Sequence, residues 1–154
     1  MKSATLSLCV GGLTLALVTS ALRAGAILSS AAAQDARRTI WEGVYTREQA
    51  ARGGQAYEQW CGRCHGDDLS GGGDGEPALA GLDFMAQWHG QSVAELVTRI
   101  TETEPYGAPG SLRGQEYVDV VSYILKMNRV PPGGSELPSS RGQLKQILMT
   151  DRPR

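Results

Sequence analysis

Large aromatic side chains are scarce in this chain: one phenylalanine, Phe84, three tryptophans and five tyrosines stand among 154 residues that include 20 glycines. An apolar core built from so few large groups is thin, which fits a fold packed around a large apolar cofactor. Basic charge is not in excess either. Fifteen lysines and arginines face 16 acidic residues, a formal net charge of −1, and that balance excludes the electrostatic footprint of a nucleic-acid or anionic-membrane binder. The one long apolar run, Leu6 to Val18, is broken by Gly11, Gly12 and Thr14 and falls short of the roughly 20 residues of a membrane span. No stretch reads as a strand, and no internal repeat occurs. Histidine occurs only twice, as His65 and His89, and cysteine three times.

What is present concentrates in Cys61-Gly62-Arg63-Cys64-His65. This is the C-x-x-C-H spacing of a covalent c-type haem site. Two residues between the thiols let one turn of backbone place both sulfurs along one porphyrin edge, and the histidine that follows sits under the ring centre. Cys61 and Cys64 are the expected tethers, and His65 is the proximal iron ligand. A zinc site presents two separated ligand pairs, and neither a second C-x-x-C nor an H-x-x-x-H exists here. A thiol redox pair of the thioredoxin kind belongs in a strand–helix context, whereas these flanks read as helical.

Residues 1–33 read as a signal peptide: Lys2 opens it, the apolar run follows, and Ala31-Ala32-Ala33 supplies the small residues before cleavage near Ala33 or Gln34. Leu8 stands where a lipoprotein signal would have a small residue, so Cys9 leaves with the leader. Without Lys2 and Arg23 the 15 basic residues fall to 13 against 16 acidic ones, about −3. The expected product is a single exported domain, 34–154, located in the periplasm with no stable membrane span after cleavage. Its core covers about 43–130, and a short C-terminal helix covers about 140–149.

Within that domain, Ile40, Trp41 and Val44 are possible anchors of a lead-in segment. Thr46 offers an N-cap to a helix running to about Trp60, with Ala50, Gly53 or Gly54, and Tyr57 on one face. Two central glycines cost a helix about 1 kcal/mol each against alanine, and a close helix crossing is a reason to keep them. Residues 66–75, rich in glycine and aspartate, have no periodicity and form a surface loop. No Walker lysine follows it, and Asp67, Asp68 and Asp74 lack the rest of a calcium loop. Phe84, Met85 and Trp88 form an apolar group on a short helix or turn. Ser92 and Glu95 make a capping box ahead of Val93, Leu96, Val97 and Ile100, and Pro105 ends that helix near Thr103. The last long helix, Leu112 to Asn128 behind Ser111, carries Tyr117, Val120, Val121, Ile124 and Leu125 as one stripe. Ser140 and Gln143 can cap a final helix bearing Leu144, Ile147 and Leu148.

From about residue 43 to 148 the chain resembles the class I c-type cytochromes, specifically the small exported cytochrome c domains and subunits associated with quinoprotein (PQQ) dehydrogenases. GVYTREQAARGGQAYEQWCGRCHG, the PALAG segment, the W-x-G after it, PGSL, and QEYVDVVSYIL followed by Asn128 carry the likeness. The resemblance implies an all-α class I cytochrome c fold of four or five helices around one covalently bound haem c, with the first and last long helices crossing. It also implies that the Pro77 carbonyl accepts the His65 ring N–H, fixing the imidazole and raising its basicity.

The likeness breaks on the other side of the iron. These cytochromes usually have a methionine before a proline ahead of PGSL, and its thioether is the sixth ligand; here the dipeptide is Glu104-Pro105. The sixth ligand therefore stays open among an unfilled or water-bound site near Glu104, then Met85 or His89 swinging in, then the Tyr106 tyrosinate. Met127 and Met149 read as core or surface residues. Thioether loss should lower the iron potential. The expected function is transfer of single electrons by Fe(III)/Fe(II) cycling, as a carrier and not an enzyme, alone or as a subunit of a dehydrogenase complex. Periplasmic redox proteins are the partners, a dehydrogenase as donor and an oxidase or another cytochrome as acceptor, with Trp88 and Arg99 near the propionates. The alternative is a haem protein whose non-methionine sixth site binds or reduces a small ligand such as peroxide, NO or CO.

Overall fold

Two fourteen-residue helices set the architecture. The structure is a computed structural model that describes residues 37–72 and 75–154. The expected leader over 1–33, Cys9 and Asp74 lie outside the described residues. Helix α1, Arg47–Trp60, begins where the Thr46 hydroxyl accepts the Gln49 N–H at 3.1 Å. It buries Gln49, Ala50, Gly53 and Tyr57. Helix α5, Gly114–Met127, buries Tyr117, Val118, Val120, Val121, Ile124 and Leu125, a stripe at helical spacing. The two helices cross with Gly53 against the Asp119–Val120 backbone, which is the reason a glycine survives mid-helix.

Between them come three further helices: α2, Gly62–His65; α3, Leu82–Trp88; and α4, Val93–Thr103, which packs on α5. The capping box at α4 forms as read, with the Ser92 N–H donating to Glu95 Oε2 at 2.6 Å and the Glu95 N–H to Ser92 Oγ at 3.4 Å. Glu104, ahead of Pro105, is extended and ends the helix. No helix among the described residues is long and apolar enough to cross a membrane.

Three boundaries differ from the sequence reading. Helix α5 starts at Gly114 instead of Leu112, because the Leu112 N–H goes to the Tyr117 hydroxyl and the Arg113 N–H to the Glu116 carboxylate, leaving both residues outside the helix. The C-terminal helix, expected over 140–149, is a single turn, α6, Arg141–Leu144, and the Ser140 side chain does not cap it. Beyond it Ile147–Leu148 (β2) pairs in parallel with Arg38–Thr39 (β1) in the lead-in segment, a two-stranded element that no stretch of sequence announced. Leu144, Ile147 and Met149 are buried, so the tail buries alternate residues at its end, the period of a strand. Ile40 and Val44 are buried and Trp41 half-buried, as lead-in anchors should be. The Trp41 indole N–H donates to the Thr150 carbonyl at 2.8 Å, tying the lead-in to the tail.

Candidate haem-binding site

The motif sits on a break between two helices. The Cys61 N–H still donates to the Tyr57 carbonyl at 2.8 Å, closing α1, while the N–H groups of Cys64 and His65 both point back to the Cys61 carbonyl at 3.1 and 3.0 Å, opening α2. One tight turn thus places both thiols and the imidazole. Both thiols are free: Cys61 half-buried, Cys64 exposed. The Tyr57 hydroxyl donates to the Gly66 carbonyl at 2.7 Å and staples the turn to the helix before it. Nothing in the sequence pattern beyond Tyr57's place on the buried face signalled that role.

The loop after the motif folds back on it. The Gly71 N–H reaches the His65 carbonyl at 3.0 Å, and the Leu79 N–H the Leu69 carbonyl at 2.8 Å. This return brings the Pro77 carbonyl to 2.9 Å from His65 Nδ1. A carbonyl can only accept, so Nδ1 carries the proton and Nε2 is left as the ring's lone-pair donor. His65 is 6% exposed. Asn128, at the end of α5, holds the same loop from the other side: its Nδ2 donates to the Leu79 carbonyl and its Oδ1 accepts the Gly81 N–H, both at 3.0 Å.

Cys61, His65 and Pro77 open onto a cavity of about 280 Å³ whose walls include Leu79, Phe84, Trp88, Leu96, Ile100, Val120 and Ile124. Its polar lining is Gln87, Arg99, Thr103 and Glu104. Burial, then the Glu104 carboxylate, then Cys64 push the Cys61 thiol up to about 11, so in the absence of a bond to carbon it stays protonated at neutral pH. Trp88 and Arg99, expected near propionates, both line this cavity.

The other sixth-ligand candidates are elsewhere. Met85 lines a separate cavity of about 540 Å³ with Trp41 and Met127, because Phe84 and Trp88, four residues apart on α3, take the face toward the His65 cavity and leave Met85 turned away from it. His89 follows the end of α3 with its side chain 51% exposed, 3.5 Å from the Asp151 carboxylate. Tyr106 is 94% exposed. Of the residues ranked at sequence level for the sixth position, Glu104 alone shares the cavity with His65.

The residues fit a covalently held haem: two free thiols and an imidazole with one nitrogen tied down, beside an apolar cavity that Glu104 and Arg99 edge with charge. Among the described residues no three histidine, cysteine, aspartate or glutamate side chains cluster as ligands of a bare ion. A sequence model of the family described as cytochrome c oxidase, cbb3-type, subunit III matches residues 48–124, half of the chain. The chain belongs to this cytochrome c family. No curated protein and no solved structure matches it. The match runs from the first turn of α1 to Ile124 in α5, so it takes in the helix crossing, the C-x-x-C-H turn, the Pro77 loop and Glu104, and leaves out the lead-in and the tail. Membership makes the protein a cytochrome c-type haem electron-transfer protein with covalently bound haem c and redox proteins as partners.

Proposed function

We propose that the mature protein is an exported monohaem cytochrome c that carries single electrons between periplasmic partners and transforms no substrate of its own. The observation that carries this reading is the 2.9 Å contact between His65 Nδ1 and the Pro77 carbonyl at the edge of an apolar cavity that Cys61 shares. Cys61 and Cys64 would carry the two thioether links and His65 Nε2 the iron, with Pro77 fixing the ring plane and raising its basicity. When bound, haem c supplies a one-electron Fe(III)/Fe(II) couple. The chain's own residues do the rest. Leu79, Phe84, Leu96, Ile100, Val120 and Ile124 give the cavity its apolar walls, and the exposed Arg99 marks where it meets solvent. A periplasmic dehydrogenase, in particular a quinoprotein of the PQQ type, is the donor this reading names. A terminal oxidase or a second cytochrome is the acceptor, and the oxidase in the family's description supports the acceptor side.

Glu104's place in the His65 cavity favours a second reading, a haem protein with a non-methionine sixth site that binds or reduces a small ligand such as peroxide, NO or CO. Mass spectrometry and visible spectroscopy of protein recovered from the native host's periplasm test the primary reading. The expected result is a chain that begins near Gln34, carries the added mass of one haem, and changes spectrum reversibly on reduction. A chain that lacks the leader but has no added haem mass rules the reading out.

A further inference from the structure

Position 104 is pinned through its backbone. Its N–H donates to the Ile100 carbonyl at 2.8 Å, and its carbonyl accepts the Tyr117 hydroxyl at 3.0 Å and the Gly110 N–H at 3.3 Å. Whatever side chain stands there is delivered to the same cavity, from the end of α4, while His65 enters it from α2. Among the described residues no thioether lines that cavity: Met85 and Met127 line the other one, and Met149 is fully buried in the core. Among the described residues neither Glu104 nor the neighbouring Arg99 forms an ion pair, so the carboxylate is not committed to a protein partner.

We infer that Glu104 presents its carboxylate to the haem face that His65 leaves free, and that in the reduced protein the sixth position is therefore open to a neutral diatomic ligand of the carbon monoxide or nitric oxide type. This rests on the haem reading above and specifies what its distal side takes. A carboxylate is a hard oxygen donor, suited to the more highly charged ferric ion and poorly suited to the softer ferrous one, where a thioether would hold. With haem bound, the Glu104 carboxylate would be held less strongly by the ferrous than by the ferric ion, by one unit of charge. Carbon monoxide would add as a neutral lone-pair donor, displacing only the carboxylate's weakened coordination, with no electron transferred. Anionic ligands are opposed by the carboxylate's own charge, so the site discriminates by charge as well as by redox state.

The test uses the full chain, expressed with its leader in a host that attaches haem c, as wild type, Glu104→Gln and Glu104→Met. Haem attachment is read first, by mass, and carbon monoxide difference spectra of the reduced proteins are read second. The expected result is a carbon monoxide-induced shift of the main haem band in wild type and Glu104→Gln, and loss of that shift in Glu104→Met, where a thioether closes the position. Haem-loaded wild type whose reduced spectrum ignores carbon monoxide overturns the inference and leaves the haem reading standing. Glu104→Met that binds carbon monoxide as wild type does overturns it too, since position 104 would then not face the iron. Absence of haem mass overturns both readings together. If Glu104→Met yields no haem-loaded protein, cyanide binding to the oxidised forms decides: tighter binding by Glu104→Gln than by wild type supports the inference, and equal binding overturns it.

Discussion

The Asp119 carbonyl oxygen stands closer to Gly53 than any β-carbon on that residue could tolerate. Helix α1 therefore approaches α5 backbone to backbone at that point, and Val120, at the contact, also lines the cavity beside His65. Gly54, one position on, faces the Tyr123 ring at 3.3 Å from where its β-carbon would be, and a ring can yield where a helix backbone cannot. Gly53→Ala should destabilise the haem-loaded protein by about 3 kcal/mol or more, at the upper end of overpacking costs. Gly54→Ala should stay within about 1 kcal/mol of wild type, helix propensity offsetting the crowding. Denaturant midpoints of the two variants check the pair; equal losses would mean that the crossing is not set at Gly53.

Gln49 makes the second long-range tie of α1. Its Nε2 donates to the Leu137 carbonyl at 3.0 Å and its Oε1 accepts the Leu137 N–H at 2.7 Å, with both residues buried. A side-chain amide here does what a strand neighbour would do for the segment after Pro131-Pro132. Gln49→Leu strands both Leu137 groups out of reach of water. At about 1–3 kcal/mol for each orphaned group, the loss should be about 2–6 kcal/mol, measured by chemical unfolding. A loss under about 1 kcal/mol would show that water enters and replaces the amide.

Much of this was legible from residues alone, for reasons that differ by site. Cys61, Cys64 and His65 declare themselves because covalent attachment demands fixed spacing, and the capping pair Ser92–Glu95 because it satisfies orphan N–H groups locally. The Pro77 carbonyl could be named only through a family likeness, since a backbone acceptor leaves no trace in residue type. Gln49, in the first turn of α1, spends its side chain on a partner 88 residues away, which no local pattern encodes. The tail failed for the same reason. Leu144, Ile147 and Leu148 have helical spacing, but the pairing edge offered by Arg38–Thr39 outweighs it and puts Met149 inside. Glu104 was legible as an exception to a family pattern, and its presence in the His65 cavity required the fold.

Glu116 accepts the Arg113 guanidinium at 3.1 and 2.9 Å and the Arg113 N–H at 2.8 Å. The guanidinium first, then the backbone N–H, hold its carboxyl down to about 2 from an ordinary 4.5. The folded value lies below the unfolded one, so ionised Glu116 favours the fold: the contribution is complete above the unfolded value and is lost as pH falls toward the folded one. Glu116→Gln keeps the acceptor and removes the charge. Its unfolding midpoint should lie below wild type near neutral pH and converge on it as pH falls from about 5 to about 2. A gap that stays constant across that range would show that the carboxylate's charge contributes nothing to folding.

Methionine replacement separates packing from ligation. Met149 is wholly buried, and its N–H and carbonyl pair with Gln91 and Gly90 at 2.9 and 2.8 Å, which holds the tail against the segment ahead of α4. Met149→Ala should cost about 2–5 kcal/mol, as deletions of large buried side chains do. Met85 and Met127 are only partly buried and line a cavity already open, so each should cost less on replacement by alanine. None of the three shares the cavity of His65, and the spectra of the oxidised and reduced haem-loaded variants should therefore match wild type even where stability falls. A change of spin state in Met85→Ala alone would show that α3 turns its thioether to the iron once haem is in place, and the carboxylate at 104 would then stand beside the coordination sphere and not within it.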